Sequence, residues 1–202
     1  MVRPKATIDP AKLVSAFAAH GLHGTSSDQL ARLAGVSKPT LYAHGHTKES
    51  LFLLTVEAEV ERLLERLHRA EKLTRGRTAR DRAKGAAHAI LNHGAARPDG
   101  LRLLARITLD QPPTTTTTTT VTATVNRIPE RITVALKRDL AADRLDATLA
   151  PSLARAIWGA AIMLAATPSG ERRPNRERLA AIAASVIPPR PSLPAEHWPP
   201  AT

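Results

Sequence analysis

The segment from Lys38 to His44 carries the side chains with the clearest chemistry. Its polar members, Lys38, Thr40, Tyr42 and His44, offer an amine, two hydroxyls and an imidazole. Groups of these types hydrogen-bond the phosphate oxygens and base edges of nucleic acids. The segment contains no acidic residue, whereas a surface helix often carries Glu–Lys pairs. We therefore interpret its outer face as a nucleic-acid contact; a helical hairpin without a partner is the alternative.

Two short helices that meet at Gly35 would position these side chains. Ser26 can cap the first helix, and Gly35 favours the left-handed backbone conformation that ends it. Ser37 can cap the second helix, with Pro39 in its first turn, where a missing N–H costs nothing. Residues 26–45 thus have the pattern of a helix-turn-helix motif.

The run GVSKPTLYAHGHTKESL, with TSSDQLARLA before it, resembles the N-terminal DNA-binding domain of the TetR family of bacterial transcriptional regulators. The similarity covers about Asp9 to Leu67. The matching positions are Phe17, Ala18, Gly21, Thr25, Leu30, Ala31, Ala34, Gly35, Val36, Ser37, Thr40, Leu41, Tyr42, Lys48 and Leu51. Gly45 departs from the family, which usually has Phe or another apolar residue there, and we expect a looser end of the second helix. Asp28 is acidic where some members touch DNA, so we do not expect it to contact bases.

The resemblance implies a helix-turn-helix domain with a connecting helix over residues 1–73 and an effector-binding and dimerisation domain over 74–187. A Pro-rich tail would follow over 188–202. Composition independently favours an all-α fold, because alanine, leucine and arginine dominate and strand-forming residues are scarce.

The resemblance and the outward positions together nominate two sets of site residues. We expect Lys38, Pro39, Thr40 and Tyr42 to face base edges and nearby backbone. The predicted phosphate contacts are Ser27, Thr40, Tyr42, His44 and Lys48. For a small-molecule effector the candidates are polar groups on otherwise apolar helices, each of which could instead be structural: His88, Asn92, Arg106 and Trp158.

Helical periodicity after the motif predicts a series of further helices. Their predicted bounds are Thr47–Leu73, Arg80–His93, Leu101–Leu109, Val125–Asp143, Leu149–Ala166 and Pro174–Ile187. Breaks are expected at Thr74–Thr78 and Gly94–Gly100, and a loop at Asp110–Thr124, where seven threonines follow one another. The last two helices are apolar enough to form a four-helix interface with a second copy. The alternative is that they complete the core of the monomer.

Charge and residue types exclude several classes of protein. The net charge is +11, but residues 1–50 hold six Lys/Arg against three Asp/Glu, so charge alone supports nucleic-acid binding only weakly. The chain lacks cysteine, and its eight histidines show no metal-ligand spacing. We expect no cofactor, metal or enzymatic activity. No apolar run is long enough for a membrane span, which predicts a cytoplasmic protein.

The function predicted from the sequence is that of a ligand-responsive, sequence-specific DNA-binding regulator, most often a repressor in the family it resembles. A homodimer would bind a palindromic operator in double-stranded DNA and release it when an unknown small molecule binds. Two alternatives remain: a small-molecule binding protein with a degenerate helix-turn-helix, and a non-specific nucleoid-type DNA binder.

Overall fold

The computed structural model describes residues 8–43, 45–109, 115–166 and 176–188. Within these ranges the chain forms nine α-helices and no strand, which confirms the predicted all-α fold. The helices are α1 (Val14–Gly24), α2 (Ser27–Ala34), α3 (Lys38–Ala43), α4 (Lys48–Leu73), α5 (Ala79–Ala96), α6 (Pro98–Leu109), α7 (Thr116–Ala142), α8 (Ala150–Ala166) and α9 (Arg176–Ala184). Two predictions, His44 as a phosphate contact and the Pro-rich tail from residue 189 onward, lie outside the described residues.

The predicted loop over Asp110–Thr124 is wrong for most of its length, because α7 begins at Thr116. Thr115 caps the helix: the backbone N–H of Thr118 donates to Thr115 Oγ1 at 3.2 Å, and the N–H of Thr115 donates to Thr118 Oγ1 at 2.8 Å. Further along, Thr120 Oγ1 donates to the Thr116 carbonyl at 2.9 Å. Threonine therefore supplies a reciprocal cap here, and the burial of Val121 on the same helix offsets the weak helix propensity of β-branched residues.

The break predicted at Gly94–Gly100 is present but is confined to Arg97. Helix α5 runs through Gly94 to Ala96, and Arg97 ends it. Pro98 then occupies the first position of α6, where its fixed φ suits a helix start and its missing N–H is not needed. The proline, and not the glycines on either side, thus sets the boundary between the two helices.

A single cluster of buried apolar side chains extends from Ile8 to Ile187. It includes Phe17 of α1 and Phe52 of α4, whose rings meet edge to face with centroids 5.0 Å apart. Helix α1 packs against both α4 and α6. The three N-terminal helices are therefore attached to the remaining helices by a continuous core and not by α4 alone. Among the described helices, none has the combined length and hydropathy that a membrane crossing requires.

One carboxylate lies fully buried inside this core, on the inner face of α4. Arg97 donates to both oxygens of Glu59, through Nε to Oε1 at 2.6 Å and through Nη2 to Oε2 at 2.9 Å. His93 Nε2 lies 3.0 Å from Glu59 Oε1, and Arg62 Nη1 donates to Oε2 at 3.2 Å. These contacts tie α4 to the C-terminal end of α5.

The start of α6 closes over the same carboxylate. A Cβ added at Gly100 would lie 2.4 Å from Glu59 Oε1, so only glycine allows α6 to approach this closely. Burial by itself would raise the pKa of Glu59, but the imidazole of His93 at 3.0 Å, the hydrogen bonds from Arg97 and the charge of Arg97 outweigh it. The result is a pKa lowered from 4.5 to about 2.

We predict that Glu59→Gln lowers the free energy of unfolding at pH 7 by about 3 kcal/mol, because a shift of this size is worth about 1.4 kcal/mol per pKa unit. Since the folded-state pKa lies below the unfolded value, the stabilisation is complete above pH 4.5 and is lost as the pH falls through about 2. Urea unfolding of both proteins at several pH values in this window measures it.

The matched control is Glu57→Gln, which changes an exposed glutamate on the same helix. It should leave the free energy of unfolding within about 0.5 kcal/mol of the parent protein. Equal effects of the two substitutions would show that the Glu59 contacts contribute no specific stabilisation.

Candidate DNA-binding site

Helices α2 and α3 end in the same backbone arrangement. At the end of α2, Gly35 has φ +74°, its N–H donates to the Arg32 carbonyl at 3.2 Å, and the N–H of Val36 donates to the Ala31 carbonyl at 3.0 Å. This pair of bonds is the Schellman motif, in which a left-handed residue satisfies the last carbonyls of a helix. The prediction that Gly35 ends the first motif helix is confirmed.

Gly45 repeats this arrangement at the end of α3. Its φ is +73°, its N–H donates to the Tyr42 carbonyl at 2.8 Å, and the N–H of His46 donates to the Leu41 carbonyl at 3.3 Å. The loosened helix end expected for Gly45 is therefore not observed. A left-handed position favours glycine, so its backbone freedom closes α3 where the family pattern has an apolar side chain.

The inner face of the motif fixes α3 against the core. Leu30 of α2 and Leu41 of α3 are fully buried in the cluster that contains Phe17 of α1. At the other end of α3, Ser37 Oγ accepts the N–H of Thr40 at 3.2 Å and also lies 2.6 Å from Thr40 Oγ1. With both ends capped and one face buried, α3 presents its remaining side chains in a defined orientation.

The outer face of α3 carries the predicted base contacts. The side chain of Lys38 is 46% exposed and Tyr42 is 48% exposed, so both are available to a partner. Pro39 is exposed beside them, and Thr40 is half-buried. Tyr42 donates its hydroxyl to Ser27 Oγ at 2.8 Å, which joins α3 to the first turn of α2.

Asp28 forms an ion pair with Lys38, with Oδ2 3.1 Å from Nζ. Both groups are largely exposed, so the pair contributes little stability. The ammonium of Lys38 can therefore leave Asp28 and bind a DNA phosphate or a base acceptor. Asp28, for which no base contact is expected, thus contacts Lys38, one of the predicted base contacts.

Lys48 lies at the start of α4, next to the motif. Its Nζ lies 3.5 Å from the His23 carbonyl at the end of α1. Thr47 caps the helix, and Ser50 completes the capping box by accepting the Thr47 N–H at 2.9 Å. An ammonium beside the partly positive N-terminal end of a helix favours an anion such as a DNA phosphate.

The four predicted effector contacts lie on three different helices. His88 and Asn92 are on α5, the first half-buried and the second exposed. Trp158 of α8 is buried in the core, whereas Arg106 of α6 is exposed and donates Nη1 to the Ala19 carbonyl at 3.1 Å. Of these four side chains, only Arg106 lines a cleft that lies between α1, α4, α6 and α7.

Sequence reasoning missed the buried polar contacts that hold α4. Besides Glu59, these include the buried pair of Arg82 on α5 and Asp139 on α7, with Nε 2.5 Å from Oδ2. The sequence does show that both acidic residues, Glu59 and Asp139, fall on an apolar helix face, where a charged residue needs a buried partner. Glu59 falls three residues after Val56 on the apolar stripe of α4, and Asp139 stands next to Leu140 in the apolar stripe of α7.

Taken together, α1–α3 form a helix-turn-helix head whose outer face is polar, a class of domain that binds DNA in the major groove. Residues 13–55 match the family model described as bacterial regulatory proteins, tetR family. Residues 13–55 are thus similar to the N-terminal domain of the tetR family, which confirms the resemblance found in the sequence.

Individual proteins are also similar to this chain, in part of the sequence or in fold. The chain is 32% identical over 88 residues to the HTH-type transcriptional activator FasR of Mycolicibacterium smegmatis, a match that covers 44% of this chain and 39% of FasR. The Bacillus subtilis transcriptional regulator FadR in complex with stearoyl-CoA has a similar fold, with a TM-score of 0.68, 16% identity, and coverage of 88% of this chain and 94% of FadR. AibR in complex with isovaleryl coenzyme A and operator DNA gives a TM-score of 0.63 at 14% identity and covers 89% and 98% of the two chains.

We predict that Lys48→Ala weakens binding to all DNA sequences alike and lowers the slope of log K against log salt by about one unit, because one phosphate contact is lost. Fluorescence anisotropy with random-sequence duplex DNA across a salt series measures the slope. The control is Lys72→Ala, which removes an exposed lysine from the opposite end of α4. If both variants keep the parental slope, Lys48 does not contact phosphate.

Proposed function

We propose that the protein is a homodimeric transcriptional regulator that binds a palindromic operator, acts as a repressor, and is released from DNA by a small-molecule effector. One observation carries the proposal: the exposed polar face of α3, held on an apolar core and capped at both ends, lies within the segment that matches the tetR family. The similarity in fold to AibR, which was solved with operator DNA, supports a DNA-binding role for the helix-turn-helix head of this chain.

In the proposed complex, α3 enters the major groove with Lys38, Pro39, Thr40 and Tyr42 towards base edges and nearby backbone. Ser27 and Lys48, at the starts of α2 and α4, would hold phosphates on either side, with Thr40, Tyr42 and His44 contributing. A twofold-symmetric dimer would place its two α3 helices in half-sites about one helical turn, or a small multiple, apart, each turn about 10–10.5 bp.

The exposed faces of α8 and α9 support the dimer. Leu179 and Ile187 are buried towards the rest of the subunit, whereas Ile182 and Val186 are 54% and 42% exposed. Met163 of α8 is 57% exposed. Apolar side chains exposed on α8, on α9 and directly after α9 are suited to self-association through a four-helix interface. The effector would act through α4, which runs from the DNA-binding head into the body.

DNA selection tests the regulator directly. We expect fragments recovered from a random-sequence pool to share a palindrome. We expect Lys38→Ala to change the base preferred at one position in each half-site, with a loss of about 1–3 kcal/mol in the free-energy difference between binding the preferred base and binding the others. Lys12→Ala, which removes an exposed lysine before α1, is the control and should keep the palindrome.

The two alternative functions predict other outcomes of the selection. No enrichment together with steep salt dependence would indicate a nucleoid-type binder. No measurable DNA binding at all would indicate a small-molecule binding protein whose helix-turn-helix has lost its site.

The dimer makes a separate prediction. Ile182→Asp should convert a dimer to a monomer in sedimentation velocity at micromolar concentration, because a charge would have to be buried in an apolar interface. The control is Val134→Asp, which introduces the same charge at a 66% exposed position on α7. A parent protein that sediments as a stable monomer would exclude the four-helix interface.

A further inference from the structure

A cleft of about 160 Å³ lies where α1, α4, α6 and α7 meet. Its lining has an apolar part and a polar part. The apolar part includes Phe52 of α4, Leu103 and Ile107 of α6, and Val121 of α7. An apolar cavity of about 150 Å³ engineered in another protein accepts a molecule of the size of benzene. The cleft therefore has room for an apolar body of one ring or a short branched chain.

The polar part of the lining carries only groups that can donate to an anion. Arg106 and the imidazoles of His20 and His23 lie on it, together with the hydroxyls of Thr118 and Thr122. Among the described residues that line the cleft there is no aspartate or glutamate. A cationic ligand would find no counter-charge among these side chains, whereas a carboxylate would meet a guanidinium, which binds carboxylates through two parallel hydrogen bonds.

Arg106 lies against the kink of α1. A Cβ added at Gly21, where φ is +66°, would lie 3.2 Å from Arg106 Nε, and Nη1 of the same guanidinium donates to the Ala19 carbonyl at 3.1 Å. Arg106 therefore connects α6 to the helix that supports the DNA-binding motif. A ligand that draws this guanidinium towards itself competes with the bond to α1.

We propose that this cleft binds a small monocarboxylate whose apolar body is about the size of a benzene ring. The ring lies between Phe52, Leu103 and Val121, and the carboxylate is held by Arg106 with the hydroxyl of Thr122 beside it. The site also gives a role to the threonine-rich start of α7, which provides two of its hydroxyls. The role of such a ligand as the effector rests on the proposed function. Binding of the ligand to the cleft does not depend on that function.

Isothermal titration calorimetry of the full chain with benzoate, without DNA, tests the site. We expect saturable binding with Kd of about 1 mM or tighter. Benzamide, which keeps the ring and lacks the charge, and acetate, which keeps the charge and lacks the ring, should each bind at least tenfold more weakly. Absence of saturable binding of benzoate, or equal binding of benzoate and benzamide, overturns the proposal.

Two variants and one control locate the ligand. Arg106→Ala should weaken benzoate binding at least tenfold, and Thr122→Phe, at an exposed position on the rim, should abolish it by filling the cleft. Arg102→Ala removes an exposed arginine of α6 that pairs with Asp99 outside the cleft, and should leave the Kd unchanged. Benzoate binding that survives both Arg106→Ala and Thr122→Phe places the ligand elsewhere and overturns the assignment.

A second measurement separates this site from the regulatory function. The affinity for the selected operator is measured with and without saturating benzoate. A fall in affinity that Thr122→Phe removes supports both the site and the effector role. Calorimetric binding without any change in DNA affinity supports the site and contradicts the proposed link to regulation.

Discussion

The buried carboxylate of Glu59 is the constraint on which the arrangement of the central helices depends. A charged group without access to water is tolerated only when its hydrogen bonds are satisfied, and Arg97 and Arg62 satisfy both oxygens. Three helices must therefore meet at one point: α4 supplies the carboxylate, the end of α5 supplies the guanidinium, and α6 can begin there only because Gly100 has no side chain. Apolar packing alone would allow these helices to slide past one another, but this contact fixes their register.

The DNA-binding head is stabilised differently. Its helices are short, so their ends account for a large share of their backbone groups, and both ends of α2 and of α3 are closed by a specific residue. Ser26 and Ser37 cap the starts of α2 and α3, and Gly35 and Gly45 form matching Schellman motifs at their ends. The head thus keeps one rigid orientation of α3 with only two fully buried leucines in the motif.

The parts of the fold that depend on local rules could be predicted from the sequence. The glycine turn at Gly35, the cap at Thr47 and the long helix to Leu73 follow from residue type and spacing, and the structure has all three. The threonine run is helical and not a loop because Thr115 and Thr118 form a reciprocal cap, which composition alone does not reveal. The contacts of Glu59 with Arg97, and of Arg82 with Asp139, join residues 38 and 57 positions apart, and no local pattern specifies such partners.

The distribution of polar contacts along α4 explains why this helix is suited to transmit a signal. At its C-terminal end, Arg82 Nη1 donates to Thr74 Oγ1 at 2.8 Å, and Arg82 is itself held by Asp139. Glu59 provides a second fixed point near the middle. The N-terminal third, from Leu51 to Val56, contributes apolar side chains to the core together with Thr55, whose hydroxyl bonds within the helix. Since apolar contacts can shift without breaking directional bonds, a ligand in the proposed cleft between α1 and α6 would move the end of α4 that carries Lys48 while the anchored part stays in place.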